Sequence, residues 1–489
     1  MSETHDQAMK YVYHQVLQRL LGHLSVVQKT SLQLLMQRLI VAAGGIECIG
    51  GLRIMMAYSG GKDSSHALAF LRAAQLSIAA RAPDTFQLRV ATLRHAGMTP
   101  AVLGNIQRTY DALFANDDPR VAVLMVDDRK VMPFDAKARL SLAASEANRQ
   151  DVLMAGHLTA GEARPTFCNR CYVNLADFYR QVSAWDGGVD IIIDSERPGE
   201  QARYLAWGRR VLRGAGLLSN DDRRHQGQLL AQLGELGGAY YRQLHGDEHW
   251  AAASLAQPWG EPCVISVHDL VHTQEPTQST LLSEFLGFRF DDLAFAFNES
   301  DCANPLLMAH MQGLRAQFQE GRDYREGVEH FLRAAVSMMR RKHTCEALIE
   351  KALAAYRSDS DLKQQRQLAS DFAQQAYGLS EAQLVCLLFA PFVNEGQALE
   401  SFLRCCHPGM LVALPYLHKA LQGHGAPEPV SQWLVDIGGL PTEALQRLYR
   451  MRRVGDVDRS SLIARLRDAD PYQVPQRNDA LFERASGRR

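Results

Sequence analysis

Leu52-Arg53-Ile54-Met55-Met56-Ala57-Tyr58 runs directly into Ser59-Gly60-Gly61-Lys62-Asp63-Ser64-Ser65 and then into an Ala/Leu-rich segment ending near Leu71. The order predicts a strand, a tight glycine loop and a helix. Paired glycines let the backbone turn sharply and approach an anion closely, because no Cβ stands in the way. The amides of the helix that follows face the same anion, and the helix dipole favours negative charge there. Lys62 adds a point charge, and Ser59, Ser64 and Ser65 bring hydroxyl groups. The spacing is not that of a Walker A loop, which needs four residues between its glycines and a terminal Gly-Lys-Ser/Thr.

Ser59-Gly60-Gly61-Lys62-Asp63-Ser64 resembles the phosphate loop of the PP-loop (N-type) ATP pyrophosphatase superfamily. The resemblance covers about 52–195 and fades beyond. It implies an α/β fold with a doubly wound parallel sheet of the adenine nucleotide alpha-hydrolase kind. It also implies ATP and Mg²⁺, with the loop from Ser59 to Ser65 holding the β- and γ-phosphates while a substrate oxygen attacks the α-phosphorus. AMP is then attached to the substrate and pyrophosphate leaves. Lys62 would neutralise pyrophosphate charge, and Asp63 would orient the loop or the metal.

The flanking sequence continues the alternation such a sheet requires. Strands are predicted at Leu52–Tyr58, Leu88–Leu93, Val121–Val126, Val152–Ala155 and Val189–Ile193, with helices near 64–81, 101–115, 136–149 and 170–184. Ligands of parallel sheets bind beyond the carboxyl ends of the strands. Two further loops are therefore expected there, Arg94-His95-Ala96-Gly97 after the second strand and Gly156-His157-Leu158-Thr159 after the fourth. By resemblance, His95 and Gly97 would contact adenine or ribose, and Gly156 and His157 would add to the nucleotide site. The tRNA-modifying branch carries paired aspartates after the second histidine, where this chain has Leu158-Thr159-Ala160-Gly161-Glu162. That difference favours a small-molecule substrate over tRNA.

Cys168-Asn169-Arg170-Cys171 puts two thiols at a spacing that suits a shared metal or a redox pair, and equally two ordinary buried thiols. Cys263 and Cys302 are further donors. Cys302 precedes a helix predicted at Leu306–Phe318, a setting that favours thiolate. Several PP-loop sulfur transferases are similar, with a cysteine pair and one distant cysteine holding an iron–sulfur cluster. On that pattern Cys168, Cys171 and Cys302 would hold a [4Fe-4S] cluster or Zn²⁺, or Cys302 would act in catalysis. Glu299 and Asp301 are carboxylates that can serve Mg²⁺ or a helix cap. Arg203, Arg209, Arg210, Arg213, Arg223 and Arg224 read as a solvated face that can also receive an anion. His245-Gly246-Asp247-Glu248-His249 has the spacing of one zinc-peptidase motif, but Gly246 and Asp247 suit a loop better than the helix that motif needs. His268 and His272 repeat that spacing and are read the same way. Cys405-Cys406-His407 is adjacent, not spaced for one metal, and reads as core.

At 489 residues the chain should hold more than one core. The expected division is an N-terminal helical segment (1–45), a catalytic unit (46–320) and a helical C-terminal region (321–489), the last shaping the substrate entrance or mediating homo-oligomer assembly. Lys plus Arg number 53 and Asp plus Glu 54, so the net charge of −1 gives no global attraction for nucleic acid. Nine scattered cysteines do not form a secreted disulfide pattern. No apolar run is long enough to span a membrane and no leader pattern opens the chain, so a cytoplasmic protein is expected. The function expected is ATP-dependent adenylation followed by transfer from a sulfur or nitrogen donor, with sulfur insertion leading. The alternatives are an amide- or amidine-forming ligase with structural cysteines, and a non-catalytic nucleotide-responsive interaction protein.

Overall fold

Two helices precede the sheet in the computed structural model, which describes residues 3–127, 130–168, 171–195, 198–218, 226–246, 262–271, 280–289, 304–341, 346–454 and 461–469. They are α1 (Glu3–Gly22) and α2 (Val26–Ala42). Ser25 and Gln28 start α2 with a reciprocal capping box. Leu32, Leu35, Met36 and Leu39 then line its buried side.

The sheet and its helices follow as β1 (Arg53–Ala57), α3 (Lys62–Ala79), β2 (Gln87–Leu93), α4 (Pro100–Ala112), β3 (Val121–Asp127), β4 (Lys130–Pro133), α5 (Leu142–Leu158), α6 (Ala163–Cys168), α7 (Cys171–Ala184), β5 (Ile191–Asp194), α8 (Pro198–Gly214), α9 (Gln226–His245), β6 (Cys263–Ser266) and the short α10 (His268–Val271). Six strands are ordered β4-β3-β2-β1-β5-β6. The chain moves outward from β1 to one edge and then returns to place β5 and β6 on the other side of β1. All pairings are parallel except β3 with β4, where Asp127 lies opposite Lys130.

Alternation along the strands divides two apolar layers. Ile54, Met56, Leu88, Val90, Ile191 and Ile193 join α1 to α4 in one core. Met55, Ala91, Leu124, Val126 and Ile192 join Phe178 and Val182 of α7 in the other. Coverage of both faces is what lets a mainly parallel sheet be built from nearly unbroken apolar strands.

The strand expected at Val152–Ala155 is not formed. Those residues lie inside α5, which Ser141 caps through the Ala144 amide. Residues 151–158 are all buried, so the segment has no polar face from which a helical period can be read. Leu281–Phe285 form a π-helical turn.

Beyond these come α11 (Pro305–Phe318), α12 (Tyr324–Arg341), α13 (Glu346–Ala354), α14 (Asp359–Tyr377), α15 (Glu381–Phe389), α16 (Leu399–Cys406), α17 (Leu414–Leu421), α18 (Glu428–Gly438), α19 (Thr442–Arg450) and α20 (Leu462–Ala469). α12 and α13 build a separate core with α11 and α14, through Val328, Leu332, Met339 and Ile349; the other helices share with α5–α9 a core that includes Val152, Trp207, Leu314, Leu387, Phe392 and Leu466. That core runs across position 320. Among the described residues no helix is long and apolar enough to cross a membrane.

Candidate functional site

Gly60 and Gly61 make the turn between β1 and α3. Gly60 has φ +76°, a left-handed conformation that costs glycine nothing. Gly61 is the N-cap of α3 and supplies no side-chain cap, so the first helical turn presents its amides without one. The loop is braced from inside. Ser64 and Ser65 donate to the Gly61 carbonyl at 3.0 and 2.8 Å, Ser59 and Ser64 hydroxyls lie 3.0 Å apart, and the Gly61 amide donates to Ser59 at 3.3 Å.

Ser65 is fully buried and its hydroxyl lies 2.8 Å from the Tyr58 phenol. Because the Ser65 proton goes to Gly61, Tyr58 is the donor of that pair. Burial, partly offset by Ser65, pushes the Tyr58 phenol up to about 12. Ser65 is therefore a brace of the loop in this structure, not an outward-facing donor. Lys62 and Asp63 open α3 at its positive end and are half-buried. His66, one turn on, is buried; burial lowers its pKa against the opposing pull of Asp63, so it is neutral near pH 7.

The neighbouring strand ends bring further groups to this edge. Arg94 follows β2, and its amide donates to Val126 of β3 at 2.9 Å. Its Nη2 donates to the Ala138 carbonyl at 3.2 Å, while Nε and Nη1 are buried with no hydrogen-bond partner among the described residues. Burial lowers the Arg94 pKa, and Asp127 opposes the shift. His95 is half-buried, its carbonyl accepting from Met98 at 3.1 Å, and Gly97 is buried in the turn before α4. Asp127 ends β3 and Asp194 ends β5, both 8% exposed. Neither aspartate stands in a local motif. Only the sheet, which aligns the carboxyl ends of β1, β2, β3 and β5, brings them alongside the glycine loop.

Gly156 and His157 do not lie in a loop beyond a strand. They occupy the last turn of α5, inside the core shared with the C-terminal helices. A Cβ on Gly156 would stand 2.8 Å from Leu387 and 3.1 Å from Thr166, so glycine serves close helix packing here. His157 is fully buried, its ring 5.0 Å from Phe392, and neither ring nitrogen has a partner among the described residues. Burial drives its pKa down to about 3.

Cys168 ends α6 and Cys171 opens α7. The far end of α7 fixes its direction. Carbonyls of Trp185 and Asp186 just beyond it accept from Arg89 at 2.5 and 2.7 Å, and Arg53 at the start of β1 donates to Gly187. Those contacts lie toward the amino ends of the strands. A helix of 14 residues is about 21 Å long, close to the length of these strands, so the Cys171 end lies toward the carboxyl edge.

Cys302, Glu299, Asp301, His249 and His272 lie outside the described residues. Cys263 is exposed on β6. Of the arginine cluster, Arg210 and Arg213 are exposed on α8. Cys405 and Cys406 end α16, where burial raises the Cys406 thiol to about 12, and His407 lies 5.3 Å from Trp433. Among the described residues no three His, Cys, Asp or Glu side chains converge as a metal site.

No family model matches the chain, and no curated protein or solved structure is similar to it.

Proposed function

We propose that the chain is an ATP-dependent adenylating enzyme built on a doubly wound sheet of the adenine nucleotide alpha-hydrolase kind. The observation that carries this is the Ser59–Ser65 turn: a left-handed Gly60, a Gly61 that leaves the first turn of α3 without a side-chain cap, and Lys62 at the same helix end. Such a turn suits pyrophosphate, with Lys62 and the amides meeting the charge that grows as the bond to the α-phosphorus breaks. Arg94 supports it with buried N–H groups that have no acceptor among the described residues. Asp194, at the end of β5 next to β1, suits Mg²⁺, which takes one or two carboxylates together with substrate phosphates.

In this reading a carbonyl or carboxyl oxygen of a small molecule attacks the α-phosphorus, a P–O bond forms, and pyrophosphate leaves with the electron pair of the bond that breaks. AMP then departs when a sulfur or nitrogen nucleophile attacks the activated carbon. Sulfur is favoured because α7 carries Cys171 toward the carboxyl edge where the glycine loop lies. The test is pyrophosphate and AMP formation with purified protein, ATP, Mg²⁺ and a panel of small carboxylic acids, amides and nucleobases. Lys62→Ala should lower turnover by about 100-fold, the scale of one lost transition-state donor. Turnover unchanged in that variant would remove the loop from the reaction.

A further inference from the structure

We infer that the outer face of α2 is a homodimer contact, on which a second copy of this chain docks its own α2, antiparallel, across a two-fold axis at Leu34. Val26, Val27, Leu34 and Val41 stand 81%, 55%, 46% and 78% exposed on this helix, while Leu32, Leu35, Met36 and Leu39 fill its inner side. Both sides of α2 therefore carry apolar residues, and the core covers only one. A single exposed valine is ordinary; four on one helix face mark a contact surface. Val27, Leu34 and Val41 recur every seven residues, so they drift only about 40° around the helix over about 21 Å. Thr30, Gln33 and Gln37, all exposed, fill the space beside them.

Symmetry and charge identify the occupant as a second copy. The row reads Val-Leu-Val from either end, so an antiparallel two-fold sets Leu34 on Leu34 of the partner subunit and Val27 on Val41 of the partner subunit. A two-fold contact must be self-complementary in this way, whereas a partner of different sequence has no need of it. Any charge on such a row would meet its own like charge, and none stands there. Thr30, Gln33 and Gln37 each donate and accept, so each can bond to an identical neighbour. Arg38 is the cation of α2 nearest the row, one turn beyond Leu34, and it is drawn aside. Its Nη1 and Nη2 donate to the two Asp269 carboxylate oxygens at 3.2 and 2.8 Å, and Nη1 also donates to the Ser266 carbonyl at 3.1 Å. That leaves Lys29, on the flank away from the row, as the other cation of the helix. A membrane surface or a nucleic acid would be met by several.

The size of the face sets the expected strength. α2 has 17 residues and is about 26 Å long; at about 10 Å wide it offers about 260 Å² to each partner. A standard interface takes about 800 Å² per partner. Dimerisation should therefore be weak, with Kd on the order of 100 µM.

Sedimentation velocity of the full-length protein, from about 5 to about 500 µM, brackets that constant. The weight-average coefficient should rise from monomer toward dimer. Leu34→Glu sets two carboxylates against each other on the axis and should raise Kd about tenfold or more, whereas Lys29→Gln should leave it unchanged. Cross-linking provides a second measurement without a disruptive variant. Under mild oxidation Leu34→Cys should join its own copy, and a mixture of Val27→Cys and Val41→Cys should join residue 27 to residue 41, as read by mass spectrometry of the linked peptides. Val27→Cys alone should not join itself, since the two copies of that residue lie about 21 Å apart along the helices, beyond a disulfide's reach of about 7 Å. A monomer across the whole range overturns the proposal, as does a dimer that Leu34→Glu leaves intact. Links between two copies of residue 27 as frequent as those from 27 to 41 overturn the antiparallel arrangement. These assays contain no ATP, so their outcome is independent of adenylation.

Discussion

Gly60→Ala perturbs the glycine loop at a point where both penalties can be worked out from the structure. With φ at +76°, an L-residue at this position costs about 1–2 kcal/mol. The new Cβ would also lie 2.7 Å from Ile106 Cγ1 and 3.0 Å from both Ile106 Cδ1 and Val102 Cγ1. Ile106 and Val102 are 0% and 2% exposed in the packed face of α4, so neither can swing into solvent. Overpacking of this kind adds about 1–3 kcal/mol, which brings the total to roughly 2–5 kcal/mol. Urea unfolding followed by far-ultraviolet circular dichroism measures it, with Ile106→Ala and the double variant completing a cycle. Ile106→Ala alone removes core volume and should cost about 2–5 kcal/mol. The double variant should then be more stable than the sum of the two by about 1–3 kcal/mol, because the truncated side chain makes room for the new methyl group. Strict additivity, or a Gly60→Ala protein within about 0.5 kcal/mol of the parent, would refute the packing account of the loop.

Two further outcomes concern buried charge. His157, with a folded pKa of about 3, stays neutral while the unfolded chain takes up its proton, so stability should fall as pH drops from about 6.5 toward 3, by roughly 4–5 kcal/mol. His157→Phe should flatten the unfolding midpoint across that window, and an unchanged slope would contradict the burial of a neutral imidazole. Asp118 lies between Arg72 and Arg120 at 2.8 Å from each, with the Tyr13 ring over both guanidinium groups. Burial alone would raise its pKa, but the Arg120 hydrogen bond and the Arg72 charge outweigh that and hold it below 3.8. Its stabilisation is therefore present above that pH and lost as the pH falls further. Asp118→Ala leaves Arg72 buried without its carboxylate and should cost about 3–5 kcal/mol in the same unfolding assay at pH 7.

Much of the sheet was legible because its strands are compact apolar runs bounded by turn residues. Leu88–Leu93 and Val121–Val126 are near matches to β2 and β3. Val152–Ala155 misled for a physical reason: a helix buried on every side has the same local appearance as a buried strand. The edge strand β4, Lys-Val-Met-Pro, went unseen because an exposed edge needs no apolar alternation and tolerates proline. At the site, the glycine loop announced itself in consecutive residues. Asp127 and Asp194 did not, since a single acid at a strand end carries no local signal. The contact of Asp151 with His245, at the end of α9, depends on the packing of α5 against α9, and no spacing within either helix encodes it.

The core shared by α5–α9 and the C-terminal helices bears on how this chain can be divided or recombined. Leu387 lies where any side chain on Gly156 would have to go, the Phe392 ring packs tilted against His157, and the Val454 amide donates to the Leu158 carbonyl at 2.8 Å. A cut at 320 would strip apolar cover from the helix that carries Asp151. Grafting the sheet without its C-terminal helices would therefore require a redesigned surface on α5, whereas a cut in a linker crossed by no such core would not.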